Sequence, residues 1–461
     1  MLHDPLLPSQ LAAYELLQRD ESGFDVARFV DGAIRPDEYD PPEPELLLAQ
    51  LESTARRPGW PYIEPESLDD ILPASPSEPI PPLPAYDRYL GAWLGRIAGC
   101  NLGKPIEEGR IWTSARIREY LERAASYPLR DYIPVLDPMP EGFELRDNWP
   151  ETTRGNVDGS ARDDDIDYPI LGLLLLEQRG AELTTADVAE GWLAYLPYAR
   201  VYTAERATYV NLLHGIPADA AGEHRNPWRE WVGALIRGDV FGWTHPGRPI
   251  AAARLAYRDA RLSHRANGVY GEMWSAALTA SALVERNVEP VLERSMAVVP
   301  AGSRLAEAID LVRGLHRSGA TWDDALDEIK TQYGHYEWVH TIGNAALITA
   351  GLLWSEGDFA TGVGNTVQGG WDTDSNGATV GSVLGALLGA DALPAQFVQP
   401  LDDRTRSAVF GFDHSRISAL AERTRSLAAR FAGDAGDDDA HARAPLASRH
   451  EPSWPGERVG S

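Results

Sequence analysis

Residues 369–389 read GGWDTDSNGATVGSVLGALLG: two glycines, acidic Asp372 and Asp374 followed by Ser375, then an uncharged run in which Gly377, Gly381, Gly385 and Gly389 recur every four residues. That spacing stacks the glycines on one face of a helix. Each interior glycine costs a helix about 1 kcal/mol relative to alanine, so the repetition needs a tertiary gain, and close approach of a second backbone supplies one. The same spacing recurs at Gly91, Gly95, Gly99 and Gly103 in GAWLGRIAGCNLG. The two stretches are therefore expected to pack on one another or on a common neighbour, antiparallel if the end of the first lies beside the start of the second. That arrangement would set residues 101–107 next to residues 372–375.

Outward from this pair, residues 86–432 form a series of helix-length apolar patterns broken by Gly, Pro and Asp, such as LGLLLLEQRG from Leu171 and NAALITAGLLW from Asn344. Few runs alternate as strands do, so the fold class is all-α. Residues 1–35 read as an extension with one or two short helices. Residues 36–85 hold 13 of the 34 prolines. That density opposes regular helix, and the segment is either a tether or an arm pinned across the body by Trp60, Tyr62, Ile71 and Leu72. Residues 433–461 are polar and aperiodic and read as a disordered acidic tail.

Composition narrows the function classes. The 461 residues carry 69 acidic against 42 basic side chains, a net charge of −27 that disfavours nucleic acid and anionic membranes as partners. Cys100 is the only cysteine, which rules out an intrachain disulfide and a cysteine-rich zinc site. The N-terminus lacks the basic and apolar regions of a secretory signal, and the apolar run 377–388 is shorter than the roughly 18 residues of a membrane span. A cytoplasmic protein is the expectation.

Three segments offer chemistry. Asp163, Asp164 and Asp165 open an apolar helix, where carboxylates either complement the helix dipole and cap it or hold a cation. The run alone is no signature, since Asp437, Asp438 and Asp439 repeat it in the tail. Asp372, Asp374 and Ser375 present hard oxygen donors beside a nearly uncharged helix, where unpaired charge is costly and a cation would relieve it. The segment GCNLGKPIEE ends a helix and presents Glu107 after a turn. Other candidates are softer: Ser263-His264 at a helix junction, Asn344 as a cleft residue or an N-cap, and the short glycine pattern Gly362-Val363-Gly364-Asn365 beside a phosphate.

Taken in order, these segments resemble the ADP-ribosylglycohydrolase family. Its run Gly-Asp-x-Leu-Gly-x-Pro-x-Glu is matched at Gly99, Leu102, Gly103, Pro105 and Glu107 but lacks the Asp, with Cys100 and Asn101 between Gly99 and Leu102; its Thr-Asp-Asp motif is matched by residues 163–165, and its Gly-Gly-Asp-Thr-Asp-Thr motif by residues 369–375 with Trp371 inserted. The resemblance implies a single large orthogonal helical bundle with two Mg²⁺ ions at the base of a cleft, Mn²⁺ being an acceptable substitute. It implies Asp164, Asp165, Asp372, Asp374 and Ser375 as metal ligands, with Asp163 at the family's Thr and the register open by one residue. Glu107 would orient the substrate or manage a proton, and Asn101, Gly103, Gly370, Trp371 and Asn344 would meet the substrate. The implied activity is hydrolysis of the glycosidic bond of an ADP-ribosyl or related ribosyl substrate, on a small molecule or a modified protein. The alternatives are a non-catalytic structural or ADP-ribose-binding member and a sensor of free ADP-ribose. The insertion 109–162, with Trp112, Tyr127, Tyr132, Asn148 and Trp149, is either a lid over the cleft or an outer layer.

Overall fold

The structure, a computed structural model, describes residues 7–30, 32, 34–72 and 78–434. Among these the chain forms helices and short 3₁₀ turns, and the only bridges are the isolated pairs Phe24–Arg56 and Trp231–His340. The fold is all-α. The helices that build the site and its supports are, in chain order, α1 (Pro8–Glu21), α2 (Tyr86–Gly103), α3 (Asp164–Arg179), α4 (Asn267–Ala282), α5 (Thr341–Leu353), α6 (Phe359–Gln368), α7 (Thr373–Leu388) and α8 (Ile417–Asp434). One continuous apolar core runs from Ile71 through α2 to α8 and ends at Phe431, while α1 packs in two smaller clusters through Leu11 and through Ala12 and Leu16. No helix among the described residues is long and apolar enough to cross a membrane.

The glycine-spaced helices α2 and α7 pack antiparallel on each other at the centre. A Cβ on Gly91, Gly95 or Gly99 would overlap the carbonyl oxygen of Gly385, Gly381 or Gly377, and the reverse substitutions would overlap the same partners. The loss of helix propensity is thus offset by backbone contact along the full interface, where many weak dispersion contacts add up. At one end Gly103 lies against the Thr373–Asp374 backbone, and Thr373 Oγ1 donates to the Gly103 carbonyl at 2.8 Å. The end of α2 and the start of α7, each an acidic motif, are fastened together by this contact.

A larger residue here cannot be absorbed by rotamer adjustment, because the obstacle is backbone. Gly381→Val is expected to lower unfolding free energy by about 3 kcal/mol or more, at the upper end of overpacking costs. Urea denaturation of the variant would check it, and a loss below about 1 kcal/mol would mean the helices can separate at little cost.

Arg96 of α2, fully buried, fixes the second acidic motif. Its guanidinium donates to the Asp165 carbonyl at 2.7 Å, to Asp165 Oδ1 at 3.0 Å, to Asp239 Oδ2 at 2.9 Å and to the Ile236 carbonyl at 2.6 Å. With five donors in a planar fork, arginine can hold two carboxylates and two carbonyls at once. The start of α3 is thereby tied to α2.

The N-terminal residues lie on the body. Glu64, Arg304 and Glu230 form a buried chain of ion pairs at 2.8 and 2.7 Å, and Gln18 and Ser22 donate to Glu230 at 2.9 and 2.7 Å. Proline density does not exclude helix in this segment: Pro44 opens the helix Pro44–Glu52, because in the first turn its missing N–H would have had no partner anyway. At the other end α8 runs through Asp434, and the expectation of a disordered tail otherwise falls on residues 435–461, outside the described residues.

Candidate metal centre

The three acidic segments meet. Oxygens of Asp163, Asp165 and Asp374 and the Cys100 sulfur lie within 4.8 Å of one another, and so do oxygens of Glu107, Asp372 and Asp374. Asp374 belongs to both groups. Ser375 Oγ donates to Asp165 Oδ2 at 3.1 Å, joining the starts of α3 and α7 directly. Asp163, Asp164, Asp165, Asp372, Asp374, Ser375 and Glu107 all line one cavity of about 710 Å³.

Capping and clustering coexist here. Asp163 caps α3, its Oδ1 accepting from the Asp165 amide at 2.9 Å, whereas Asp372 at the start of α7 makes no capping bond and Asp374 Oδ1 accepts only from the adjacent Ser375 amide at 3.0 Å. Burial pushes the Asp165 carboxyl up to about 8, with Asp374 adding to the shift and Arg96 opposing it. Burial also raises Glu107, Asp372 and Asp164, the Asp374 charge contributing in each case. Carboxyls that resist ionisation by mutual repulsion and lack of water are what a divalent cation relieves, and oxygen donors of this kind suit Mg²⁺ or Mn²⁺. The residues present fit such an ion.

The raised values have a consequence for the metal-free protein. A carboxyl titrating near 4 when unfolded and near 8 in the folded state binds more protons folded than unfolded across that window, so stability is lost as pH rises through it. The melting temperature of the metal-stripped protein is expected to fall between pH 5 and pH 8, and saturating Mg²⁺ to reverse the fall. A profile that metal leaves unchanged would remove the link between these carboxyls and a cation.

The residues expected to meet substrate stand elsewhere. Asn101 is buried; its Nδ2 donates to the Gly159 carbonyl at 3.1 Å and its Oδ1 accepts from the Ala161 amide at 3.2 Å, bracing the loop before Asp163. Asn344 Oδ1 accepts from the Asp372 amide at 3.3 Å and Asn376 Nδ2 at 2.7 Å, while its Nδ2 donates to the carbonyls of Trp338 and His340. Gly103 serves the helix crossing. Gly370 and Trp371, at φ +81° and +60°, form the turn that starts α7, and the Trp371 ring faces Gly343 on α5. These five support the cluster from behind and do not line the cavity. His264 is fully buried with Nδ1 2.8 Å from Ser263 Oγ, and Gly362 and Gly364 lie inside α6 against Leu384 and the Leu129 carbonyl.

Other residues reach the site without a motif to announce them. Cys100 sits one turn before Lys104 on the face that meets α7. Lys104 pairs with Asp163 and lies 3.5 Å from Asp374 and 3.8 Å from Glu107. Arg110, Arg146, Arg162, Arg200 and Arg406 stand on the cavity wall beside Glu108, Glu151 and Glu205, with Arg110 paired to Asp37 and Glu337, Arg146 to Glu108, Arg162 to Asp167 and Arg406 to Asp413. Tyr14 of α1 lines the wall too, its ring edge-on to Trp231 at 5.7 Å. From the insertion, Arg146, Asn148 and Glu151 reach the wall, while Trp112, Tyr120 and Phe143 form an aromatic knot behind them and Tyr132 donates to the Phe397 carbonyl at 2.8 Å.

Comparison with known proteins places this architecture. No curated protein matches the chain. A solved ADP-ribosylglycohydrolase-related protein complex shares 20% identity, over 74% of this chain and 98% of that one, with a TM-score of 0.45. The ADP-ribosylglycohydrolase family model matches residues 81–436, the whole helical body with all three acidic segments, and the chain belongs to that family.

Proposed function

We propose that this protein hydrolyses the glycosidic bond of an ADP-ribosyl or related ribosyl substrate at a centre that takes two Mg²⁺ ions, Mn²⁺ being a working substitute. Membership of the family makes it a glycohydrolase in general terms. The observation that carries the finer reading is the convergence of carboxylates from three remote segments in one cavity. Five arginines line one cavity wall, four of them paired with carboxylates that an anionic group of a substrate, such as a diphosphate, could replace.

Asp163, Asp164, Asp165, Asp372, Asp374 and Ser375 would hold the ions. Bound there, divalent ions supply Lewis-acid charge and a more acidic water next to the anomeric carbon. The chain's own residues do the rest. Glu107, with a side chain 24% exposed beside the cluster, can deliver a proton to a leaving group or orient the sugar. The wall arginines would position the anionic part, and Tyr14, Trp231 and Trp338 give the same cavity an apolar surface.

Asn101 is a buried brace outside the cavity and takes no donor from the site, so it does not favour the non-catalytic alternative. Metal-stripped full-length protein titrated with Mg²⁺, then assayed against N- and O-linked ADP-ribosyl compounds and nucleosides, tests the proposal. Metal-dependent release of a ribosyl product is expected. Mg²⁺ binding without turnover on any of them would favour a binding protein, and no Mg²⁺ binding would overturn the reading of the centre.

A further inference from the structure

Of the 42 basic residues only Lys104 and Lys330 are lysines. One of the two stands at the centre of the carboxylate cluster, at a position that the Gly-x-Pro-x-Glu pattern leaves open. Its backbone is held on both sides: Gly103 is pressed on Thr373 and Asp374, and Pro105 follows in the 3₁₀ turn Lys104–Ile106. The side chain is 10% exposed, and its Nζ is hydrogen-bonded to Asp163 Oδ2, 3.5 Å from Asp374 Oδ2 and 3.8 Å from Glu107 Oε2. These carboxylates come from three segments and from both groups of converging donors, Asp374 being common to the two. The ammonium therefore occupies the space among oxygens that a pair of divalent ions would share.

Two properties of lysine matter at such a place. Its charge is a compact point, as an ion's is, so it satisfies carboxylates without imposing a planar geometry. Its four-carbon stem is flexible, and Lys104 borders the open cavity, so the ammonium has somewhere to go. Arginine, used for nearly every other cation in this chain, would fill the space with a rigid fork. On the proposed reading of the site as a two-ion centre, we infer that Lys104 is an exchangeable internal counter-ion that occupies one cation position until a second divalent ion displaces it. The first ion binds where Lys104 does not reach all the donors. The second has to move the ammonium out of its carboxylates and then tolerate it nearby, so binding is stepwise and the second site is weak.

Calorimetric titration of metal-stripped full-length protein with Mg²⁺, comparing wild type with Lys104→Met and Lys104→Arg, reads this directly. The wild type is expected to take one ion tightly and a second at least tenfold more weakly. Lys104→Met, of similar length and uncharged, should bind the second ion at least tenfold more tightly than wild type, whereas Lys104→Arg should not. A second-ion affinity unchanged within twofold in Lys104→Met overturns the inference and leaves the two-ion reading standing; absence of Mg²⁺ binding in every form overturns both. Should Lys104→Met not fold, labelling of the wild-type protein decides. Reductive methylation read by peptide mass spectrometry, with Lys330 as the reference, should modify Lys104 more when Mg²⁺ goes from one equivalent to saturation, and constant labelling counts against displacement.

Discussion

Asp374→Ala is expected to abolish both metal binding and turnover while leaving the helical fold in place. Asp374 is the one carboxylate shared by the two donor groups, so its removal takes an oxygen from each cation position at once. Loss of an outer supporting partner already costs metal sites about 10–100-fold in affinity, and loss of a direct ligand should exceed that. If bound cations supply several kcal/mol of charge stabilisation, turnover should fall by about a thousandfold or more. The fold has independent anchors: α7 starts on the Gly370–Trp371 turn, on Asn344, and on the Thr373–Gly103 hydrogen bond, none of which uses the Asp374 side chain. Circular dichroism should therefore match wild type while calorimetry with Mg²⁺ shows little heat. An Asp374→Ala protein that remains active and binds metal would clear Asp374 of the role.

That independence of fold and site explains what the sequence discloses. The glycine repeats are legible because they carry a cost: seven glycines in two helices make sense only if backbones touch, and α2 and α7 do touch, Gly95 on Gly381 and Gly99 on Gly377, while the eighth, Gly389, ends α7 at φ +85°. Their antiparallel crossing in turn places residues 101–107 beside residues 372–375. The acidic segments are legible by residue type, as oxygen donors at helix starts. What a motif does not disclose is which side of the backbone each member faces. Asn101, Gly103, Gly370, Trp371 and Asn344 belong to the motifs or their neighbours, yet they brace the cluster from the protein side. Conversely, Tyr14 meets Trp231 across more than two hundred residues, and no local spacing encodes such a contact. Lys104 had a signal of a kind, a lysine in a chain that otherwise uses arginine, but a composition becomes informative only when the side chain is seen among Asp163, Asp374 and Glu107.

Glu107→Gln should separate proton handling from metal binding. Glu107 stands within reach of the Asp372–Asp374 group, so it could act as a ligand or as a carrier of a proton, and the substitution distinguishes the two. Its side chain is 24% exposed, against 4% for Asp374, and it faces the cavity where a substrate would enter. In the metal-free protein burial and the Asp374 charge raise its carboxyl, and a cation on Asp374 would lower it again, so the substitution and not the shift decides its role. Glutamine keeps the shape and a carbonyl oxygen but has no transferable proton. As a proton carrier Glu107 is expected to account for about 10²–10⁴-fold in kcat, with Mg²⁺ affinity in the variant changed by no more than about fivefold. A ligand role would instead lower metal affinity and kcat together, and excess Mg²⁺ would restore turnover. If Glu107→Gln turns over at the wild-type rate, the proton must come from elsewhere on the wall, where Glu205, raised by burial to about 7 and paired with Arg237 at 2.7 Å, is the next carboxyl in line.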